Sequence, residues 1–557
     1  MEEFVKECSK KGIVIECKEG NKISYKATKG PIDRSMLLFM KENKEALISY
    51  LKEKGSVAKA GIEKAESGKA ESGKAERGNA EELAVENNRY DEFPLTDIQS
   101  AYHAGRQSEY DFGGTGCYTY LEIKTKKIEA KRFEEAWHNT IMRHDMLKAE
   151  ITKDGKQYVQ INPKMPSLEV YEVKDNEKRI EEAKEVEEMR RMLSAYDFKI
   201  GEYPMHKFII GQGSDESIVH FSVDMLVADF VSINIILSDV FDYYENGSFT
   251  KEIGETRSFR EIVLERRNKK ASEADRSYWM KKIEAGSFTE LDLPLKQGAE
   301  KAAPVFKRRK KIFNKDEYAR FKEIVLKNGI TINNAILTTY ARVLSNWSED
   351  NKICINVTLM QRNEEEKKVV GDFTAVNLLC LEINNESFKE LAKRTQMTLL
   401  SDISHMSFSG VEVMREINKR ADKKIMFPAV FTSTVGTDST HDEVLGLDII
   451  GGISRTPQVW IDCQVLDRNG ELEVHWDVRE GVIEEKQLND IWNTFCKSLQ
   501  QISVSENWDE ITGVTVPEGY FDKINEFNDV TEEFETRMLY DGFINNVTYS
   551  PEKAAII

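Results

Sequence analysis

Ser222-Val-Asp224-Met-Leu-Val-Ala-Asp229-Phe-Val-Ser232 sets two carboxylates five residues apart, with a serine three further on, inside an otherwise apolar run. A buried carboxylate is costly unless it is paired or hydrogen-bonded, so this pattern calls for either a catalytic role or a structural ion pair. For Asp229 the ion pair is favoured, because perturbed buried carboxylates are often members of structural networks. The candidate partner is Arg362, at the strand end Leu359-Met-Gln-Arg362. Working outward, Ile218-Val-His-Phe-Ser-Val223 reads as a strand, as does Ile353-Cys-Ile-Asn-Val357. Helical periodicity marks 132–142, 317–326 and 332–344. From Phe93 to about Thr515 the chain is therefore mixed α/β, too long for one simple core and suited to two lobes. The polar stretch 269–276 or the loop near Gly298 could join them.

Two further clusters carry polar groups in apolar surroundings. One is Phe431-Thr432-Ser433-Thr434-Val-Gly436, a run of hydroxyls; the other is Thr456-Pro457-Gln458-Val-Trp460-Ile-Asp462-Cys-Gln464. On a strand, Gln458, Trp460, Asp462 and Gln464 share one face. Such a face makes a poor core and a good pocket wall, although an ordinary solvent-facing strand is the simpler alternative. The Trp460 indole beside Asp462 favours the pocket, since it would dry the carboxylate and raise its pKa toward an acid/base range.

Composition narrows the class. The 557 residues carry 79 Lys+Arg against 97 Asp+Glu, a formal charge of -18, which argues against a sequence-blind nucleic-acid binder. No apolar run approaches the roughly 20 residues that span a bilayer, and Met1-Glu2-Glu3-Phe4 lacks the features of a secretory signal. The 7 cysteines show no Cys-x-x-Cys spacing, so neither a disulfide framework nor a metal site is expected. A soluble cytoplasmic protein with free thiols, no membrane contact and no nucleic acid follows as the expectation.

Residues 55–88 contain Lys64-Ala-Glu-Ser-Gly68, Lys69-Ala-Glu-Ser-Gly73 and Lys74-Ala-Glu-Arg-Gly78, which cannot bury enough surface to order themselves and read as a flexible linker. Residues 1–54 have their own α-β-β-α pattern: a helical stripe at Phe4, Val5 and Cys8, strands at 12–17 and 22–26 around Glu19-Gly20-Asn21, and a helix from Met36 to Leu51. The Gly12-Ile13 opening, that turn and Lys44-Glu45-x-Leu47 resemble the TubC-type N-terminal docking domain of assembly-line synthetases. The resemblance implies capture of the C-terminal tail of an upstream synthetase protein.

Phe93-Pro-Leu-Thr96-x-x-Gln99-x-Ala101-Tyr102-x-x-Gly105-Arg106 resembles the opening motif of heterocyclization domains of nonribosomal peptide synthetases. Arg143-His144-Asp-Met-Leu147, the Asp224–Ser232 run, Leu293-Pro-Leu295, Gly371-Asp-Phe-Thr374, Phe431-Thr-Ser433 to Gly436 and Thr456-Pro-Gln-Val-Trp460 match that family's motifs in order. The resemblance spans 89–515 and implies an α/β (α+β) two-lobed fold of the chloramphenicol-acetyltransferase type, with an N-lobe at about 89–270 and a C-lobe at about 271–515. It implies condensation of a carrier-bound acyl or peptidyl thioester with carrier-bound Cys, Ser or Thr, then cyclodehydration to a thiazoline or oxazoline. No cofactor is implied for the chain itself; the 4'-phosphopantetheine arms belong to upstream and downstream carrier proteins. By the same resemblance Asp462 is the acid/base and Thr432 its positioning partner. Asp224 and Asp229 complete the catalytic set as carboxylates needed for the site's integrity, and Ser232, Gln458 and Trp460 bind substrate. His220 lies near the motif, but an isolated strand histidine reads as packing.

Residues 516–557 resemble the lead-in to an adenylation domain that the chain truncates; the expected neighbour is an adenylation domain downstream. The Ile450-Gly-Gly-Ile-Ser454 run imitates a carrier-protein motif and is rejected because it leads straight into the Thr456-Pro-Gln strand. Rival readings are a condensation domain that forms the amide without cyclising it, a catalytically silent docking scaffold, and a CoA-dependent acetyltransferase, which would need a histidine base. The favoured reading requires Asp462 to face a channel and to stay free of a permanent arginine partner.

Overall fold

The computed structural model describes residues 13–18, 22–27, 89–174, 179–252, 257–436, 447–517, 519–529 and 538–554. The chain divides into two compact units, 1–85 and 86–557. In the first, β1 (Ile13–Lys18) and β2 (Lys22–Ala27) pair antiparallel, with Lys18 opposite Lys22. The two helices expected to flank them and the expected linker at 55–88 lie outside the described residues.

The second unit is built on three sheets. Its first strands are β3 (Phe93–Pro94), β4 (Tyr118–Lys126), β5 (Ala149–Ile151), β6 (Lys156–Val159), β7 (Glu169–Glu172), β8 (His206–Gln212) and β9 (Glu216–Asp224). After these come β10 (Phe306–Phe313), β11 (Lys352–Met360), β12 (Thr374–Glu382), β13 (Ala429–Ser433), β14 (Asp448–Arg455), β15 (Ile461–Arg468) and β16 (Glu471–Arg479). The N-lobe sheet runs β14-β4-β9-β8-β7, beside a small sheet β3-β6-β5; the C-lobe sheet runs β10-β16-β15-β13-β11-β12.

Each lobe closes over its own core for the reason its sequence suggests. Helix Ala130–Arg143 turns Phe133, Ala136, Trp137 and Ile141 inward, at helical spacing, against helix Phe230–Asn246 and the N-lobe sheet. Helix Ile332–Ser345 is buried on almost every side, between the C-lobe sheet and helices Phe388–Ile403 and Glu485–Val504. Burying each such large side chain is worth about 1.5–3 kcal/mol. Helix Phe259–Asn268 packs into the N-lobe core and helix Glu273–Glu284 into a C-lobe cluster with Leu378 and Phe408, so the chain passes between lobes across 269–272.

Two crossovers bind the lobes together. Strand β14 leaves the C-lobe and extends the N-lobe sheet, pairing with β4 across a bulge at Ile449/Gly451. Gly452 takes φ 151°, and a Cβ there would lie 2.5 Å from the Tyr120 carbonyl oxygen, so the close approach of the two strands requires glycine. In return, Val369, Val370 and Phe373 of the loop after β11 enter the N-lobe core.

The expectation of free thiols is corrected at Cys354 and Cys380, which form a disulfide between β11 and β12. They face one another directly in the antiparallel register, a relation that a sequence separation of 26 does not disclose. No helix among the described residues is long and apolar enough to cross a membrane.

Candidate functional site

The opening motif forms the wall nearest the N-lobe. Thr96 caps helix Asp97–Gly105 in a reciprocal capping box with Gln99. The Gln99 side chain then runs inward to Gln157 and the Leu226 carbonyl (2.6 Å). Arg106, just past the helix, donates to Asp224 and to the Phe198 carbonyl. Asp224 also accepts from Leu226 N (3.0 Å); burial raises its pKa, and Arg106 opposes the rise. In the second motif, His144 Nε2 lies 2.7 Å and Arg143 Nε 3.0 Å from Asp239, which fixes the end of helix Ala130–Arg143.

Asp229 caps helix Phe230–Asn246 by accepting from Ser232 N (2.7 Å), and its other contacts join the lobes. Arg362 Nη2 donates to both its oxygens (2.7 and 2.8 Å), and Phe373 N to Oδ2 (3.1 Å). The same guanidinium reaches the Glu366 and Val369 carbonyls and the Ser232 hydroxyl. Asp229 and Arg362 thus form a buried ion pair. Beside it, Asp372 has its carboxyl pushed up to about 8 by burial and then by the Asp229 charge. Its Oδ1 accepts from Thr374 N (3.0 Å), while its buried Oδ2 has no partner.

Between the lobes lies a cavity of about 400 Å³. Helix Asp97–Gly105 and the neighbouring strands β4 and β14 line it, with Tyr102, Cys117 and Ser454, as do β13 and β15 of the C-lobe sheet, with Thr432, Asp462 and Gln464. Asp462 is 7% exposed and faces this space. It accepts from Gln464 Nε2 (2.7 Å) and, at 3.4 Å, from the hydroxyls of Thr432 and Ser454. Thr432 reaches it because β13 and β15 run parallel, Val430 beside Asp462 and Thr432 beside Gln464. Burial pushes the Asp462 carboxyl up to about 6, the Gln464 hydrogen bond opposes this, and the charge of Asp477 on β16 adds to it. Arg308 binds Asp477 rather than Asp462, through Nε (2.7 Å) and Nη2 (2.6 Å). The arrangement is a desolvated carboxyl, held by neutral donors, that can gain or lose a proton near neutral pH.

Several sequence expectations are corrected here. Asp229 forms the ion pair with Arg362 that the sequence favoured; the catalytic placing of Asp224 and Asp229 is corrected, because both are tied to arginines behind the cavity wall and do not line it. Ser232 is fully buried and exchanges hydrogen bonds with Gly371, so it touches no substrate space. Trp460 is 2% exposed, belongs to the C-lobe core and packs edge-on against Phe112. The shared face breaks because Gln458 adopts φ 64° in a turn and β15 begins only at Ile461. Asp462 and Gln464 keep the common face; Gln458 lines the cavity from the turn, with its N–H on the Phe112 carbonyl (2.9 Å). His220 is neutral packing, held between the hydroxyls of Tyr120 and Tyr171 at 2.7 Å each, with burial lowering its pKa to about 3.

Sequence reasoning missed Arg308, Ser454 and Asp477. Ser454 ends the segment rejected as a carrier motif, which runs as β14. It meets Asp462 because β14, in the N-lobe sheet, packs against the C-lobe sheet that holds β15.

Comparison with known proteins fits this geometry. The condensation-domain family model matches residues 90–509 and the TubC N-terminal docking-domain model residues 1–53. Pyochelin synthetase PchF of Pseudomonas aeruginosa is 28% identical over 501 residues, covering 87% of this chain and 26% of the relative. Phenyloxazoline synthase MbtB of Mycobacterium tuberculosis is 25% identical over 484 residues, covering 83% of this chain and 33% of the relative. The chain thus spans about a quarter to a third of these relatives' length. The EpoB cyclization-docking bidomain of Sorangium cellulosum superposes with a TM-score of 0.67 at 23% identity, over 91% of this chain and 99% of that one, and so shares the fold. The nonribosomal peptide synthetase FmoA3 gives 0.70 at 25% identity, over 84% and 48%. Two lobes, an interlobe cavity and a family match over 90–509 place this chain in the condensation-domain family of nonribosomal peptide synthetases, behind a TubC-type docking domain.

Proposed function

We propose that residues 89–515 act as a heterocyclization domain. The carrying observation is Asp462: it faces the interlobe cavity, bound by Thr432, Ser454 and Gln464 and, among the described residues, by no arginine. The names of the relatives, pyochelin and phenyloxazoline synthases, and of the EpoB cyclization domain support the same reading.

The substrates are two thioesters on the 4'-phosphopantetheine arms of an upstream and a downstream carrier protein. A largely apolar passage ending in polar groups suits such slender arms. Holding both converts a bimolecular aminolysis into an effectively intramolecular one, worth about 7–11 kcal/mol. The acceptor amine attacks the donor thioester carbonyl, the donor thiol leaves, and an amide remains. The acceptor's side-chain thiol or hydroxyl then attacks that amide carbonyl and gives a tetrahedral adduct. Asp462 gives its proton to the adduct's hydroxyl, which departs as water, and recovers a proton as nitrogen forms the C=N bond. A carboxyl with pKa about 6 holds and releases a proton readily at neutral pH, and such acid/base help is worth about 10²–10⁴-fold. Thr432 orients the carboxyl from β13. The docking domain takes the tail of an upstream synthetase protein, and an adenylation domain follows downstream.

Intact-mass analysis of loaded donor and acceptor carriers tests this. The wild-type chain should give a product lighter than the simple amide by one water. Asp462→Asn should accumulate the uncyclised amide, and undiminished cyclisation by that variant would refute the proposal.

A further inference from the structure

Asp462 and Asp477 stand directly opposite one another in the β15–β16 register, two buried carboxyls side by side. Placed so, both cannot ionise freely, and whichever holds the nearby cation takes the charge. That cation is Arg308, which reaches in from β10, where it is the register partner of Asp477. Its two short hydrogen bonds both go to Asp477, and its remaining contact is Gln464 Oε1 at 3.4 Å. Asp477 also accepts from Ser454 N (2.8 Å) and Ser454 Oγ (3.0 Å). The stronger donors therefore converge on Asp477.

We propose that Asp477 is a positioning residue of this site: by engaging Arg308 it keeps the guanidinium off Asp462 and leaves that carboxyl free to trade a proton with substrate. The proposal rests on the reading of Asp462 as the proton carrier. Other titratable groups near Asp462 include Tyr102, Tyr340, Cys463 and His475, and Arg455 and Arg468 also line the cavity. Burial raises the pKa of Tyr102 from the N-lobe helix, of Tyr340 from helix Ile332–Ser345 and of Cys463 on the same strand. His475, opposite Gln464, has its pKa lowered by burial and is tied to Glu473. Asp477 and Arg308 are the two charges that weigh most on Asp462. Ser454 adds a link to the fold: β14 delivers its hydroxyl within reach of both carboxyls, 3.0 Å from Asp477 and 3.4 Å from Asp462.

The test reads Asp462 directly, without needing the natural donor. Carboxyl infrared difference spectra between each protein and its Asp462→Asn counterpart follow protonation of residue 462 against pH in the full chain. Asp477→Asn removes the opposing charge and frees Arg308 to turn on Asp462, so the midpoint should fall by about one to three pH units. Arg308→Gln removes the cation and should raise it, by about one unit. The double variant Arg308→Gln/Asp477→Asn should return toward wild type, a rescue that a merely structural pair would not give. If Asp477→Asn fails to fold because it strands a buried guanidinium, the Arg308→Gln and double variants still decide. A midpoint unmoved or lowered in Arg308→Gln, or a double variant displaced further than either single one, overturns the proposal. Wild-type cyclisation by Asp462→Asn would instead remove the underlying reading, whatever the titrations show.

Discussion

Asp372 offers a demanding test of the electrostatics. Its carboxyl is buried beside Asp229, keeps one unpartnered oxygen, and has its pKa pushed from 3.8 to about 8, by burial first and the Asp229 charge second. In the unfolded chain the group ionises near its ordinary value, whereas in the fold it keeps its proton until about pH 8. The sign follows: stability is full below about pH 4 and is lost as pH rises toward 8. Each pKa unit is about 1.36 kcal/mol, so the three units between pH 5 and pH 8 are worth about 4 kcal/mol. Asp372→Asn keeps the acceptor for Thr374 N and never ionises. Its stability relative to wild type, from urea unfolding followed by circular dichroism, should therefore improve by about 4 kcal/mol between pH 5 and pH 8. A difference that stays constant across this range would show that Asp372 is already ionised in the fold, and the account of the interlobe carboxyls would fail with it.

Three further outcomes follow from the same contacts. Arg106→Ala leaves Asp224 buried without its cation and should destabilise by about 3–5 kcal/mol, measured as a lowered urea midpoint at neutral pH. Gly105→Val places a Cβ 2.6 Å from Pro457 Cγ, so the turn carrying Gln458 must move; unfolding should show a loss of about 1–3 kcal/mol, and steady-state assays a slower turnover. Cys380→Ser opens a 26-residue loop and should cost about 3 kcal/mol without reductant, and nothing measurable when excess reductant has already opened the disulfide.

Much of this architecture could be read from the chain before folding, and the failures share a cause. Strands at 218–223 and 353–357 and helices at 132–142, 317–326 and 332–344 announce themselves because their apolar periodicity matches their burial. Thr432 and Asp462 stand out as polar groups in apolar runs. Trp460 was misplaced because the two-residue strand period was carried back through Gln458, whose left-handed backbone interrupts it. Arg308 sits in the basic run 307–311, which looks like any solvated face until pairing with β16 brings it against Asp477. Asp477 opposite Arg308 and the Cys354–Cys380 pair are likewise products of strand register, and Ser454 reaches the site through packing of one sheet on another, none of which local pattern encodes.

The strand that crosses from one lobe to the other has a mechanical corollary. Because β14 is laced into the ladder of β4, the halves of the molecule cannot separate without tearing that seam. Ser454 rides on the seam and lies 3.4 Å from Asp462, so the seam holds that carboxyl in place when the lobes are strained. Pulling the molecule apart end to end should therefore find its stiffest resistance at this stitch, well after the outer rims have yielded.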